Sequence, residues 1–176
     1  MRTRIVAALV VCAALIAATG CDESGRIEHD RKNAVEVGVT DTGPGTIFSL
    51  LVDTADLSTL TAAIGSADLV ERFESKGPYT LFAPNNKAWA KLGEDRLESL
   101  MSTETANLRQ GILNHTVRGK LLTQSLKDGQ VLKSIGGPKL TIRNKGGVYY
   151  VNGAAILRPN KETANGVVHE IDSVIR

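Results

Sequence analysis

NGVVHEIDSVI, the stretch from Asn165 to Ile175, places one histidine, two carboxylates and one serine within five residues. Such a set has the residue types of a hydrolytic site, in which an acid orients a histidine that activates a serine. If the stretch is a β-strand, however, His169 and Ser173 lie on one face, and Glu170 and Asp172 lie on the other. Ser173 is also four residues from His169, which is roughly 13 Å along a strand. We therefore predict that this stretch is the closing strand of a domain and that it has no catalytic residues.

The residues before this stretch alternate between apolar and polar side chains, as strands with one buried face do. Turn signals separate the alternating segments, and Asn152-Gly153 is a strong signal for a tight hairpin turn. The predicted elements are a strand around Leu140 and Ile142, a turn over residues 144–147, a strand over Val148 to Val151 and a strand over Ala154 to Leu157. Consecutive strands joined by short turns predict a mainly antiparallel sheet.

The first half of the sequence, from Thr46 to His115, has apolar residues at the three- and four-residue spacing of short helices. These residues fall into four groups: Leu57, Leu60 and Ile64; Leu69, Val70 and Phe73; Leu97, Leu100 and Met101; and Leu108, Ile112 and His115. Several short helices followed by a mainly antiparallel sheet predict an α+β domain.

One segment of this half departs from helical spacing. YTLFAPNNKAW, from Tyr79 to Trp89, predicts a strand over Thr80 to Phe82 that ends at Pro84. Asn85 or Asn86 is suited to cap the short helix that follows, because an asparagine side chain accepts a hydrogen bond from the first backbone amides of a helix. The segment is therefore predicted to form a corner between a strand and a helix.

The first twenty residues have the layout of a secretory signal. A short basic start, Met1 to Arg4, precedes 14 uncharged and mostly apolar residues from Ile5 to Ala18, whereas a membrane-spanning helix needs about 20. Ala-Thr-Gly-Cys at positions 18–21 resembles the lipobox of bacterial lipoproteins, in which the cysteine becomes the lipidated first residue. We expect residues 1–20 to be a lipoprotein signal peptide and Cys21 to be the lipidation site. An ordinary signal peptide with an incidental cysteine is the alternative.

Residues 22–45 have the composition of a linker, with six acidic and three basic residues, few large apolar ones and a Gly-Pro-Gly ending. We expect residues 21–45 to be the lipidated N-terminus and a flexible linker that places the domain near a membrane. The alternation of Val35, Val37 and Val39 leaves open a short strand added to the sheet. Removal of residues 1–20 would leave 19 basic and 19 acidic residues, so the charge does not indicate a nucleic-acid partner.

The remaining charge is unevenly distributed. Residues 46–104 carry five basic and nine acidic residues, whereas residues 105–161 carry ten basic residues and a single acid, Asp128. A domain with such a charge distribution favours an anionic partner on its basic half. The candidate basic binding face consists of Arg118, Lys120, Lys139, Arg143 and Lys145.

Three stretches, in order, resemble the fasciclin domain family. YTLFAPNNKAW and NGVVHEIDSVI are similar to its first and second signature boxes and stand about 85 residues apart. Between them ILNHTVRGK, from Ile112 to Lys120, resembles the segment that usually carries a Tyr-His pair. The resemblance covers residues 46–176 and implies a fasciclin-like fold. The positions that match the family motifs are Thr80, Phe82, Pro84, Asn86, His115, Asn165, Gly166 and His169.

The resemblance implies a role in adhesion, because fasciclin domains are known mainly as adhesive and matrix-interacting units. Their Tyr-His motif is associated with cell adhesion, but Asn114 stands at its tyrosine position here, so the resemblance does not carry the role of that motif to this chain. The domain itself has only His115 and His169 as histidines and no cysteine, and it lacks a Gly-rich phosphate loop, a nucleophile elbow and a zinc-protease helix. We therefore expect no metal, no cofactor and no catalysis, with both histidines serving as buried hydrogen-bonding residues.

Together these features predict a membrane-anchored, extracytoplasmic binding or adhesion module of the cell envelope, on the periplasmic or the outer surface. Its expected partners are the membrane, through the lipid anchor, and a protein, matrix or anionic glycan ligand. Two alternatives remain open. An envelope hydrolase acting on a surface polymer would need a pocket with a histidine beside an acid and a nucleophile. A self-associating structural envelope protein would need exposed apolar surface.

Overall fold

Six short α-helices and seven β-strands form the part of the chain that the structure, a computed structural model, describes, residues 45–175. Single turns of 3-10 helix occur at Ala55–Leu57 and Thr123–Ser125. The helices are α1 (Ile47–Val52), α2 (Ser58–Ser66), α3 (Val70–Glu74), α4 (Asn86–Ala90), α5 (Glu94–Ser102) and α6 (Thr105–Asn114). The strands are β1 (Tyr79–Pro84), β2 (Thr116–Arg118), β3 (Val131–Lys133), β4 (Lys139–Lys145), β5 (Val148–Val151), β6 (Ala154–Thr163) and β7 (Gly166–Ile171).

The α+β expectation is confirmed, although β1 lies among the helices in chain order. The strand over Val148–Val151 has the predicted bounds. Asn152 and Gly153 both have positive φ, 47° and 90°, as the central residues of a type I′ hairpin turn require. The signal peptide, Cys21, the linker and the alternative strand at Val35 to Val39 lie outside the described residues.

The strands form one sheet in the order β2-β1-β7-β6-β5-β4-β3. All neighbours are antiparallel except β1 and β7, which are parallel. An isolated antiparallel bridge joins Val117 of β2 to Ser134, which follows β3, and the amide of Ile135 donates to the carbonyl of Thr116 at 2.7 Å. The two edge strands therefore meet, and the sheet closes on itself at this bridge.

The two motif strands, β1 and β7, are buried on both faces. Leu81 and Val168 pack in a core cluster with the helices, whereas Phe82 and Ile171 pack in a second cluster with the apolar residues of the other strands. The sheet thus separates a core shared with the helices from a core enclosed by the strands.

Three sequence-based expectations were wrong in detail. The last strand ends at Ile171, because Asp172 turns to accept a hydrogen bond from the amide of Ala155 at 2.8 Å; Ser173 therefore does not share a strand face with His169. The helix predicted to include His115 ends at Asn114, and His115 is its C-cap residue, although its side chain is buried as expected. The strand predicted to end at Leu157 continues to Thr163 through two register shifts.

The corner between β1 and α4 forms as predicted. Asn85 is the residue that caps α4, and its Oδ1 accepts from the amide of Ala88 at 2.9 Å. Asn86 binds elsewhere: its Nδ2 donates to the carbonyl of Ala55 at 3.0 Å and its Oδ1 accepts from the amide of Thr59 at 3.0 Å. Asn85 therefore caps α4, and Asn86 ties α4 to the 3-10 turn at Ala55–Leu57 and to the start of α2.

No helix within residues 45–175 is both long enough and apolar enough to cross a membrane.

Candidate functional site

The second motif begins with an asparagine whose side chain is buried and fully occupied. Asn165 Oδ1 accepts from the amide of Ile47 at 2.8 Å, and Nδ2 donates to the carbonyls of Phe73 and Ser75 at 2.7 and 2.8 Å. This one amide ties the start of α1 and the end of α3 to the start of β7. Asn165 therefore positions secondary structure and has no polar atom left for a ligand.

Gly166 stands opposite Tyr79 in the parallel pair of β1 and β7. A Cβ on this residue would overlap the backbone carbonyl of Tyr79 and would lie 2.9 Å from Ile47 Cδ1. The motif requires glycine here because the two backbones approach each other too closely for any side chain.

The first motif positions on β1 are also structural. Thr80 Oγ1 donates to the carbonyl of Gly119 at 2.7 Å and accepts from the amide of Leu121 at 2.9 Å. Phe82 faces the enclosed core, and Pro84 is the last residue of β1. The Thr80 side chain therefore holds the segment after β2 against β1.

His169 is held inside the fold by backbone groups. Its Nδ1 accepts from the amide of Asn160 at 3.1 Å, and its Nε2 is 2.8 Å from the carbonyl of Leu121, to which it donates. These partners fix the neutral tautomer with the proton on Nε2, because an amide only donates and a carbonyl only accepts. The ring stacks on Phe82 with centroids 5.5 Å apart. Burial lowers the pKa of His169.

His115 is held by two backbone groups as the neutral tautomer with the proton on Nδ1. Its Nδ1 donates to the carbonyl of Gly111 at 2.7 Å, and its Nε2 accepts from the amide of Ile175 at 2.9 Å. Burial lowers the pKa of His115 to about 4, because an imidazolium would be desolvated and would lose the acceptor for Ile175. His115 therefore fastens the segment after β7 to the end of α6.

Glu170 lies on the opposite face of β7 from His169, as strand alternation predicts. Its carboxylate is buried, accepts from Asn85 Nδ2 at 3.2 Å and from Arg158 Nη1 at 3.1 Å, and lies 4.0 Å from Lys161 Nζ. Arg158 Nη1 also contacts Asp56 Oδ2 at 2.7 Å. This ion-pair group compensates the buried carboxylate, and neither histidine is among the partners of Glu170.

A cavity of about 260 Å³ opens beside this ion-pair group. It is lined by Asp56, Asn85, Asn86, Lys87, Leu157, Arg158 and Glu170. No histidine, hydroxyl or thiol is among these lining residues, and Asp56, Asn85, Arg158 and Glu170 bind one another. The cavity thus lacks the histidine and nucleophile that a serine-type hydrolase requires.

The basic residues of β4 do share one face. Strand alternation points Lys139, Thr141, Arg143 and Lys145 outward, while Leu140 and Ile142 point into the enclosed core. We call these four outward residues the β4 face. Lys139 and Lys145 are six positions apart, which is roughly 20 Å along a strand. The three cations therefore form a straight, solvent-exposed line.

Apolar side chains accompany this line on the neighbouring strands. Tyr150 pairs with Arg143 and Val148 pairs with Lys145 across β5, and Lys145 Nζ lies 5.7 Å from the centroid of the Tyr150 ring. Asp128 Oδ2 is 3.9 Å from Arg143 Nη1, with 58% and 59% of the two side chains exposed. An ion pair so open to solvent neutralises little of the charge.

The other two members of the predicted basic face lie outside β4. Arg118 is the exposed last residue of β2, the edge strand that meets the segment after β3 where the sheet closes. Lys120 follows it and forms an ion pair with Glu162 at 2.6 Å. The five predicted residues therefore separate into three on the β4 face, one on β2 and one in an ion pair.

Sequence reasoning missed Lys133, which stands directly opposite Lys139 in the pairing of β3 and β4. The sequence signal for the strand that carries Lys133 is weak. Val131, Leu132 and Lys133 alternate exposed, buried and exposed, and a Gly-Gly-Pro turn follows at residues 136–138, which is typical of a hairpin. A three-residue strand is too short for periodicity alone to identify.

Within residues 45–175, no group of three or more histidine, cysteine, aspartate or glutamate side chains is arranged to hold a metal ion.

The comparisons with known proteins agree with the geometry of the two motif strands. The Fasciclin domain family model matches residues 55–176. A protein of Synechocystis sp., sll1483, is 37% identical over 150 residues, which cover 85% of this chain and 83% of that protein. The chain belongs to the fasciclin domain family.

Other relatives are longer or more distant. Human periostin is 36% identical over 112 residues, covering 62% of this chain and 13% of periostin. A solved structure of a FAS1 domain pair from the insect cell adhesion molecule fasciclin I has a similar fold, with a TM-score of 0.68 and 16% identity. That match covers 76% of this chain and 51% of the insect chain. Among these relatives, the insect protein is a cell adhesion molecule.

Proposed function

We propose that this chain is a membrane-anchored, extracytoplasmic adhesion or binding module of the cell envelope, without catalytic activity, that contacts a protein or anionic glycan through the β4 face. The observation that carries the proposal is the single outward line of Lys139, Arg143 and Lys145 on one strand of an adhesion-family domain. Exposed like charges in a line create a local positive potential that attracts an anionic partner.

The residues of the family motifs support a binding role in a different way. The side chains of three motif residues form hydrogen bonds with backbone groups inside the fold: Asn165, His115 and His169. A hydrolase of the serine type would need at least one of these histidines beside an acid and a nucleophile. The motifs in this chain therefore build the scaffold, and the exposed strand surface is the part left to make contact.

Neutralising Arg143 and Lys145 should weaken binding to envelope fragments at least tenfold. The variant is Arg143→Gln with Lys145→Gln in the full-length protein, purified in detergent and assayed by co-sedimentation with fragments from the cells that express it. The difference from the unmodified protein should shrink as NaCl rises from about 50 mM to about 500 mM, because salt screens exposed charges.

Lys76→Gln with Lys87→Gln is the matched control, since it removes the same charge from exposed positions away from β4. This control should bind within about twofold of the unmodified protein. Equal binding by both double variants would remove the β4 face from the proposal, and no binding by the unmodified protein would remove the adhesion role itself.

The anchor is tested separately through Cys21. Cys21→Ser removes the thiol that would carry the lipid, and we expect the variant protein to move from the membrane fraction to the soluble extracytoplasmic fraction. Metabolic labelling with a fatty acid should mark the unmodified protein only. Membrane association that persists in the variant at high salt would contradict lipidation.

A further inference from the structure

Three basic residues meet where the sheet closes on itself. Lys133 and Lys139 are direct partners across β3 and β4. The bridge between Val117 and Ser134 is antiparallel, so the residues one step further along, Arg118 and Lys133, are neighbours. We call Arg118, Lys133 and Lys139 the seam row. Because adjacent strands lie about 4.8 Å apart, the row places the backbones of three basic residues within about 10 Å across β2, β3 and β4.

All three side chains of the seam row point outward. Each is exposed, and each is preceded or followed on its strand by a buried residue, Val117, Leu132 or Leu140. The row also meets the β4 face at a shared residue, Lys139. The two sets therefore form one continuous basic surface on the outside of the sheet.

This arrangement is electrostatically unfavourable in the protein alone. Like charges directly opposite on neighbouring strands destabilise a sheet. Within residues 45–175, the ion pairs that form involve other basic residues, such as Lys120 with Glu162 and Arg143 with Asp128, and none involves a member of the seam row. An anionic group placed over the row would remove the repulsion.

The surroundings indicate what kind of anion fits. Val131 and Val148, on the same outer surface, are 54% and 44% exposed, and Tyr150 lies beside Lys145. A small free anion would use the seam row alone. An extended chain that carries both acidic groups and apolar C–H surface would use the row, the length of the β4 face and these apolar neighbours together.

We propose that the seam row and the β4 face form one binding track for an acidic polysaccharide, with the seam row holding its carboxylate or sulfate groups. The proposal rests on the proposed binding function and names its ligand class and its strongest anchoring point. Sugar rings offer C–H faces that pack on tyrosine and valine, and repeated acidic groups match a line of cations. The row is also the part of the basic surface where cations are closest together.

The test uses the full-length protein with polygalacturonate, dextran sulfate and uncharged dextran immobilised in parallel at about 50 mM NaCl. The unmodified protein should bind one or both acidic polymers and not the uncharged one; preference between the two identifies the acidic group. Lys133→Gln with Lys139→Gln should weaken that binding at least tenfold. Lys133→Arg with Lys139→Arg, which keeps both charges, should restore it to within about twofold.

Thermal unfolding separates a binding role from a structural one. If the seam row serves a ligand, the glutamine variant should unfold at the same temperature as the unmodified protein or a higher one, because a repulsion has been removed. A lower unfolding temperature together with weaker binding would indicate a structural role and would overturn the proposal.

Three further outcomes would also overturn it. The first is binding by Lys133→Gln with Lys139→Gln that equals binding by the matched control Lys76→Gln with Lys87→Gln. The second is binding of the unmodified protein to envelope fragments but to neither acidic polymer. The third is binding of the unmodified protein to vesicles containing about 30% anionic lipid in preference to both polymers. The second outcome leaves the proposed adhesion role intact, whereas failure to bind envelope fragments at all ends that role as well.

Discussion

Gly166→Ala is expected to destabilise the domain by about 4 kcal/mol or more, a size reserved for substitutions that break the core or backbone geometry. The added methyl group would overlap the carbonyl of Tyr79 and crowd Ile47. That carbonyl cannot retreat without separating β1 from β7, the parallel pair that is buried on both faces. Since domains of this size are stable by only about 5–15 kcal/mol, much of the stability would be lost.

Urea unfolding of the full-length protein, followed by tryptophan fluorescence of Trp89, measures this effect. Gly65→Ala is the matched control, because Gly65 lies in α2 and a Cβ there meets nothing within 4 Å. Alanine in a helix interior is favoured over glycine by up to about 1 kcal/mol, so this control should be slightly more stable than the unmodified protein. A Gly166→Ala midpoint equal to that of the unmodified protein would show that β1 and β7 tolerate separation.

Acidification is expected to cost about 3 kcal/mol of stability through His115 alone. In the unfolded chain a histidine has a pKa near 6.5, whereas burial lowers the pKa of His115 to about 4 in the fold. Above pH 6.5 both forms are neutral and the stability is at its full value. Between pH 6.5 and 4 only the unfolded chain takes up the proton, so the free energy of unfolding falls by about 1.4 kcal/mol per pH unit.

His115→Asn isolates this contribution. Asparagine retains a donor for the carbonyl of Gly111 but does not titrate in this range. The variant should start less stable at pH 7.5, and its free energy of unfolding should fall less steeply between pH 6.5 and 4 than that of the unmodified protein. His169, whose pKa is also lowered by burial, contributes in the same direction to both proteins. Parallel pH profiles for the two proteins would show that His115 titrates normally.

Much of the fold could be predicted from local patterns. The hairpin at Asn152-Gly153 follows from the φ angles that this dipeptide tolerates. The capping of α4 follows from an asparagine placed directly after a strand-ending proline. The separation of His169 from Glu170 follows from the two-residue period of a strand. Each of these depends on neighbours in sequence, which is why sequence alone was sufficient.

Features that depend on residues distant in sequence could not be predicted in this way. The partners of Asn165 at Ile47, Phe73 and Ser75 are about 90 to 118 residues away. No periodicity shows that Arg118 and Lys133 become neighbours, because the closure of the sheet rests on a single bridge. For the same reason the sequence could not show that Arg118 adjoins the basic surface of β4, or that Lys120 forms an ion pair with Glu162.

The parallel pairing of β1 with β7 also determines when the domain can form during synthesis. Asn85 and Glu170, which bind each other where these strands end, are 85 residues apart. Pairing between residues so far apart requires the chain to close a long loop before stabilising contacts form. The entropic cost of closing this loop makes assembly slow. A nascent chain that has not yet reached residue 166 has β1 and β6 without their shared partner, and both would present unpaired edges that other chains can join. These two edges stay open to association until β7 pairs with both strands.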